Sequence, residues 1–471
     1  FLTGRLARAR LEKVLSELEP PPFAWTIADM GVKVAALMTE AIITRRLDRN
    51  LALCASRVVV PGRCRADLTR LAGEFGLPFE RGPDEIRDIP DWLGRKKRAP
   101  LLRDKSVRIF AEIVEAPMLR VEEILARAME MRASGADVID LGCLPDTPFP
   151  RLAETVRALK DAGLQVSVDS ADGNELRAGA LAGADFLLSL TEETLDLVAG
   201  TSATPVLIAS RHGDLDALVR AAALAERRKL AVILDPILDP IHFGFVPSLL
   251  RYAELRRRLP AAEIMMGTGN LTELTEADSC GVTAMLMGIC SELAIGNVLV
   301  VQVSPHTRRT IAEHAAAARL MHAARSDGGL PKGYGAGLVQ LHDLRPFAST
   351  PEEIDALARS VRDKNFRIET AVDGIHVYNR DGHWVESEAL SLFPKLDVAG
   401  DAAHAFYLGA ELMNAEIAWR LGKRYAQDAP LDWGCGADRQ AENLTRQAQA
   451  GHTLRPKRQG LEPRARRADD T

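Results

Sequence analysis

Between Val107 and Arg325 the chain repeats one pattern eight times, a short β-branched run followed by an amphipathic helical stretch. The runs are VRIFAEIV, ADVIDL, LQVSVD, DFLLSL, TPVLIAS, LAVILD, AEIMMG and GNVLVVQV, and segments such as VEEILARAMEMRASG and FPRLAETVRALKDAG lie between them. Strands that are apolar throughout and alternate with helices belong to a parallel sheet covered on both faces. Eight units within this length predict a (β/α)8 TIM barrel over residues 105–327.

The rest of the 471 residues is too long to be a margin of that barrel, since single cores stop growing at roughly 250–300 residues. Residues 1–98 carry their own shorter α/β alternation, with helices expected near Arg5–Leu18 and Val32–Leu47, the run FAWTIADM and the strand SRVVVPG. RGPDEIRDIPDWLGRKKRAP reads as a connector, with Arg95–Arg98 solvated. After GGLPKGYGAG, the runs FRIETAV, IHVYNR and HWVES are split by two Asp-Gly pairs, a hairpin signal, and a helix follows over Ala402–Leu421. This predicts a small α+β domain over 335–436. The polar stretch 437–471 lacks apolar periodicity and is expected to be disordered.

Net charge is 60 minus 65, or −5, which gives no general attraction to nucleic acid or an anionic membrane. Six cysteines occur without a C-x-x-C pair, which fits a reducing cytoplasm better than a zinc knuckle or a disulfide scaffold. No apolar run is long enough for a membrane span. The chain starts at Phe1 inside an apparent element, so a few preceding residues are expected.

In a TIM barrel the chemistry gathers where the strands end. The strand ends here offer Glu112 and Glu115, Asp140, Asp169, Ser189, Ser210 with Arg211 and His212, Asp235, Asn270 with Glu273, and Gln302 with Ser304. For any single carboxylate, a helix cap or loop ion pair is as good a reading. Three aspartates ending the second, third and sixth strands ask for more, because a buried charge without a partner is expensive. A carboxylate accepts two parallel hydrogen bonds, so its partner is an arginine, a divalent cation or a heterocycle with adjacent N–H donors. Their position on strand ends within an apolar barrel favours the heterocycle.

GADVIDLG, LQVSVDS, GADFLLSL and VILDPILDPIHFGF resemble the successive strand ends of the pterin-binding domain of dihydropteroate synthase. The resemblance covers roughly Val107–Arg325 and is most specific at Asp169 and at Asp235, which Gly244 and Phe245 follow. It implies that Asp169 and Asp235 grip a pterin ring, with Asp140, Ser189, Asn270 and Glu273 around it. Three loops depart from the family: AEIVEAP and CLPDTPFP replace its diphosphate and aminobenzoate loops, and MGTGNLTELTEADS leaves no lysine at the seventh strand.

The whole layout from Leu2 to Gly434 resembles the dihydropteroate synthase-related proteins of archaea and of bacteria that make tetrahydromethanopterin. That resemblance implies transfer of a dihydropterin-methyl group from diphosphate to ribofuranosylaminobenzene phosphate, or otherwise to p-aminobenzoate. Magnesium is then expected with the departing diphosphate, and Arg211, His212, His306, Arg308 and Arg309 are the candidates for phosphate groups. A homodimer fits this reading. Two rival readings are a pterin-dependent methyltransferase acting with a separate corrinoid protein, for which Asn270 is suited, and a pterin-binding or assembly protein without turnover. Gly31–Thr39 and Val60–Gly62 could form an anion-binding turn, although no G-x-G-x-x-G or P-loop accompanies them.

Overall fold

The computed structural model of the chain describes residues 1–18, 23–94, 102–398 and 400–438. The connector at Arg95–Arg98 and nearly all of the tail expected to be disordered lie outside the described residues. The chain divides into two compact units, Phe1–Leu338 and a second beginning at Val339.

The first unit contains a closed barrel of eight parallel strands: β5 (Arg108–Ile113), β6 (Val138–Gly142), β7 (Gln165–Asp169), β8 (Phe186–Leu190), β9 (Thr204–Leu207), β10 (Ile233–Leu234), β11 (Glu263–Gly267) and β12 (Asn297–Val300). Each strand pairs with its sequence neighbours, and β12 closes on β5 with Val298 opposite Ile109. Strand side chains alternate, so the barrel needs two cores. Inside it, Phe110, Val138, Phe186, Leu188, Val206, Ile233 and Met265 form one cluster. The Phe110 and Phe186 rings meet edge to face at 4.9 Å. Outside it, the alternate residues, including Ile109, Ile139, Val166 and Leu187, pack against the surrounding helices.

Two details differ from the eightfold pattern. The connection after β8 holds only a 3-10 turn, Leu195–Val198. Its sequence, TEETLDLVAGTS, is too short to hold three helical turns of about 11 residues with a loop at each end before β9 begins at Thr204. β10 has two residues, because Pro236 and Pro240 follow it and proline cannot donate to a ladder.

Four short strands precede the barrel: β1 (Leu2–Thr3), β2 (Ala28–Asp29), β3 (Val58–Val60) and β4 (Phe79–Arg81), paired in parallel as β1 with β2 and β3 with β4. The helix expected near Val32–Leu47 is shorter and runs over Glu40–Arg46. Thr39 caps it by accepting from the Ile42 N–H, and a 3-10 turn at Ala35–Leu37 stands before it.

In the second unit β13 (Arg367–Ala371), β14 (Gly374–Asn379) and β15 (Gly382–Glu386) form an antiparallel meander. The glycine of each Asp-Gly pair opens the returning strand, leaving Val372–Asp373 and Arg380–Asp381 as two-residue loops. A helix over Ala402–Leu421 contributes Leu408, Leu412, Ala415 and Ala418 to this unit's core. Among the described residues no helix is long and apolar enough to cross a membrane.

Candidate functional site

Side-chain parity sets the site. Counting by twos from the interior residues Phe110, Val138 and Ile233 leads to Glu112, Asp140 and Asp235, and Ser167 with Asp169 occupies the same face of β7. The strand register places Glu112 beside Asp140, Asp140 beside Ser167, and Gly142 beside Asp169. The interior is therefore hydrocarbon below and carboxylate above.

These acids are held in protonation-prone surroundings. Asp140 is fully buried and accepts from the Ser167 hydroxyl through Oδ1, while its Oδ2 is buried with no hydrogen-bond partner. Burial, then the charges of Asp169 and Glu112, push its carboxyl well above the usual range against the Ser167 bond. Burial and the Asp169 charge raise Glu112 to about 7. Burial raises Asp169 to about 6. Asp235 also rises to about 6 through burial, opposed by hydrogen bonds at 2.8 Å from the Ile237 N–H and the Tyr252 hydroxyl. Tyr252 is fully buried and locks one oxygen of Asp235, leaving the other for a ligand.

Gly142 makes room for this arrangement. A Cβ there would lie 2.4 Å from Oε1 of Glu112, so the Glu112 carboxylate folds across the bare backbone of the neighbouring strand. Among the described residues Glu112 and Asp169 accept no side-chain hydrogen bond, and no cation pairs with either.

Apart from Ser189, the other expected site residues lie beyond the strands, and several serve the loops there. Asn270 donates through Nδ2 to the Leu238 carbonyl at 2.7 Å, tying the loop after β11 to the loop after β10. Glu273 spends both oxygens on the loop after β12, accepting from the N–H groups of Val303 and Ser304 and from the Thr307 hydroxyl. Burial works against its charge, yet these bonds hold the carboxyl below the usual range. His306 meets the Thr272 carbonyl through Nε2 at 3.0 Å. Ser189 is half-buried in β8 where the register with β9 shifts. Arg211 and Arg308 are exposed and make no ion pair with a described residue.

His212 pairs with Asp239, 3.0 Å from Nε2 to Oδ1. Asp239 belongs to a network that the sequence reading did not single out. Its Oδ2 accepts from Arg251 at 2.8 Å, and the same guanidinium donates to the carbonyls of Pro236 and Ile237. The signal was present as the repeated Asp-Pro in DPILDP: the first aspartate faces the barrel and the second fastens the loop. Glu112 stood among the strand ends but outside the pterin set, at a place where AEIVEAP departs from the family's loop.

With this geometry in place, the chain can be set beside known proteins. A family of unknown function, DUF6513, matches residues 1–84. An uncharacterized protein of Methanocaldococcus jannaschii is 25% identical over an alignment of 528 residues, covering 92% of this chain and 98% of that one. Among solved structures, the dihydropteroate synthase of Xanthomonas albilineans in complex with indole-2-carboxylic acid and 6-chloroguanine is 20% identical, with a TM-score of 0.38, over 48% of this chain and 94% of that one. The dihydropteroate synthase of Yersinia pestis is likewise 20% identical, with a TM-score of 0.36, over 48% and 94%.

Proposed function

We propose that the barrel mouth binds the amino-pyrimidinone edge of a pterin through Asp169 and Asp235 and that the chain is a pterin-binding transferase. The observation that carries the reading is the pair of inward-facing, half-buried carboxylates, each with a free oxygen and neither in an ion pair with a described residue. Such acids are satisfied by a neutral group with two adjacent N–H donors. Asp140 and Glu112 lie alongside and keep the mouth rich in acceptors. The reaction is the joining of a 7,8-dihydropterin-6-methyl diphosphate to an aromatic amine, 4-(β-D-ribofuranosyl)aminobenzene 5'-phosphate or otherwise p-aminobenzoate.

In this reaction the amine nitrogen forms a bond to the pterin methylene, the C–O bond to diphosphate breaks, and the nitrogen gives up a proton. The ring itself feeds electrons toward the breaking bond, so the protein supplies position and charge stabilisation. Arg211 and Arg308, exposed on loops beyond β9 and β12 and in no ion pair with a described residue, are the cations for departing or substrate phosphate, with His212 and His306 beside them. Magnesium belongs to this proposal with the diphosphate. Among the described residues no three His, Cys, Asp or Glu side chains form a metal site, and hydrated Mg2+ needs only one or two carboxylates besides phosphate oxygens.

The test is pterin binding by fluorescence with Asp169→Asn. Loss of one partner from a buried charge-assisted pair costs at least about 2 kcal/mol, or roughly thirtyfold in Kd. Unchanged affinity in a folded variant removes Asp169 from the site. Diphosphate release from the pterin diphosphate and its amine separates transfer from binding alone, and tight pterin binding with no release from any aromatic amine ends the transferase reading.

A further inference from the structure

Away from the barrel carboxylates, the first unit holds a cavity of about 260 Å³ at the ends of β1, β3 and β4. In open parallel sheets small molecules bind outside the carboxyl ends of the strands. Each of these three strands is followed within two residues by a glycine, Gly4, Gly62 and Gly82. Gly62 is there because backbone meets backbone: a Cβ would stand 2.5 Å from the Pro83 carbonyl carbon, so the loops after β3 and β4 close on each other as one wall. The opposite wall is Val32–Ala35, bound to the end of β1 by hydrogen bonds from Arg5 N–H to the Val32 carbonyl and from Leu6 N–H to that of Lys33.

The lining joins aliphatic surface, including Leu6, Val34, Val59 and Ile86, to four cations (Arg10, Lys33, Arg63 and Lys332) and two carboxylates (Asp84 and Glu85). Four minus two leaves two positive charges in surplus. Both carboxylates are engaged, since Arg63 pairs with Asp84 and Glu85 and Lys332 with Glu85. Lys33 is exposed and pairs with no described residue. The Arg10 guanidinium carbon sits over the Tyr334 ring, 4.0 Å from its centroid. Its Nη1 is buried without a hydrogen-bond acceptor, 3.9 Å from an Asp327 carboxylate that also takes Lys13 and the Tyr334 hydroxyl. Asp327 is not among the lining residues, so Arg10 and Lys33 bring the cavity positive charge that no lining carboxylate offsets.

We propose that this cavity is a binding site for a small organic anion, with its apolar body against Leu6, Val34 and Val59 and its anionic group between Arg10 and Lys33. A cavity of about 260 Å³, at the lower end of ligand pockets, suits a ligand of one ring or a short chain rather than a dinucleotide. The site is separate from the barrel mouth and does not depend on the pterin reading. Residues 1–84, which match the family of unknown function, supply most of its walls.

The experiment is calorimetric titration of the full chain with phenyl phosphate, benzoate, inorganic phosphate and benzyl alcohol, the first two arms distinguishing the anionic groups. At least one organic anion is expected to bind more tightly than both inorganic phosphate and benzyl alcohol. Lys33→Met, at an exposed position, is expected to weaken that binding about tenfold, roughly 1.4 kcal/mol. Arg10→Met is expected to weaken it further, and the barrel variant Asp235→Asn to leave it unchanged. The proposal is overturned if neither organic anion binds, if inorganic phosphate or benzyl alcohol binds as well as they do, or if folded Lys33→Met retains full affinity. Loss of binding in Asp235→Asn also overturns it, by placing the anion in the barrel. Lys33→Met decides the matter if Arg10→Met does not fold.

Discussion

Asp235 combines an inward-facing carboxyl with a pKa raised to about 6 by burial, so it bears on ligand binding and on stability together. Its place at a strand end followed from the run VILD, and its inward direction follows from parity with Ile233. The lock by Tyr252 did not follow, because that hydroxyl comes from a helix seventeen residues onward and only the folded chain brings it to 2.8 Å. The same holds for Asp239 and Arg251, whose bond crosses twelve residues. Asp235 titrates at about 6 when folded and near 3.8 when not. A carboxyl with a raised pKa contributes stability fully below about pH 4 and loses it as the pH rises through 6, so at neutral pH its ionisation opposes folding. Asparagine keeps an oxygen for Ile237 and Tyr252 without the charge. Asp235→Asn is therefore expected to be more stable than the parent by about 2–3 kcal/mol at pH 7.5, with the gain fading toward pH 4. Urea unfolding at the two pH values checks this, and a variant less stable at pH 7.5 contradicts it. The same substitution is expected to weaken pterin binding, the usual opposition of stability and function at a site.

At the scale of elements, the barrel was readable because its strands are apolar on both faces and alternate with helical stretches eight times. The fourth crossover was not readable in detail, since TEETLDLVAGTS is polar enough for a helix surface and only its length argues for a 3-10 turn. The helix expected near Val32–Leu47 was misjudged at its start because the apolar residues continue upstream of the Thr39 cap, where the chain instead lines the cavity. The relation between neighbouring strands β5 and β6 was equally hidden. Glu112 can fold toward Asp169 only because the adjoining strand ends in Gly142. Gly142→Ala places a methyl group where Oε1 lies, and the flexible Glu112 side chain is the part that gives way. Stability is expected to fall by about 1 kcal/mol, the low end for added volume in a packed interior, while Glu112, moved toward water, titrates lower than about 7 and closer to an ordinary carboxylate. Carbon-detected NMR titration of the glutamate carboxyls reads this directly. An unmoved Glu112 midpoint would show that the close approach does not set its environment.

For the whole molecule, two units with separate cores carry opposite responses to pH. The first unit holds Asp169 and Asp235, raised to about 6, and Glu112, raised to about 7. These three favour the folded state more as the pH falls from 7.5 toward 5. Fully buried His314 works against them, because burial lowers it to about 4 and its stabilising contribution, present above 6.5, is lost as the pH falls. Asp140, raised well above the usual range, adds to these three, so the carboxyls outnumber the histidine and leave a net gain on acidification. In the second unit Asp373, His376, His383 and Asp355 form a chain of contacts at 2.8, 3.0 and 2.9 Å. Burial and then His376 lower His383, while Asp355 opposes the shift. Two imidazole nitrogens facing each other share one proton, and a second proton placed there breaks the contact. This unit therefore loses stability as the pH falls below 6.5. Scanning calorimetry of the ligand-free protein between pH 7.5 and 5 is expected to show two transitions, one moving up and the other down. Pterin should raise only the first, and His383→Gln should flatten the pH response of only the second. If both transitions fall together on acidification, the barrel carboxylates are ionised in the folded protein and their oxygens are satisfied in some other way.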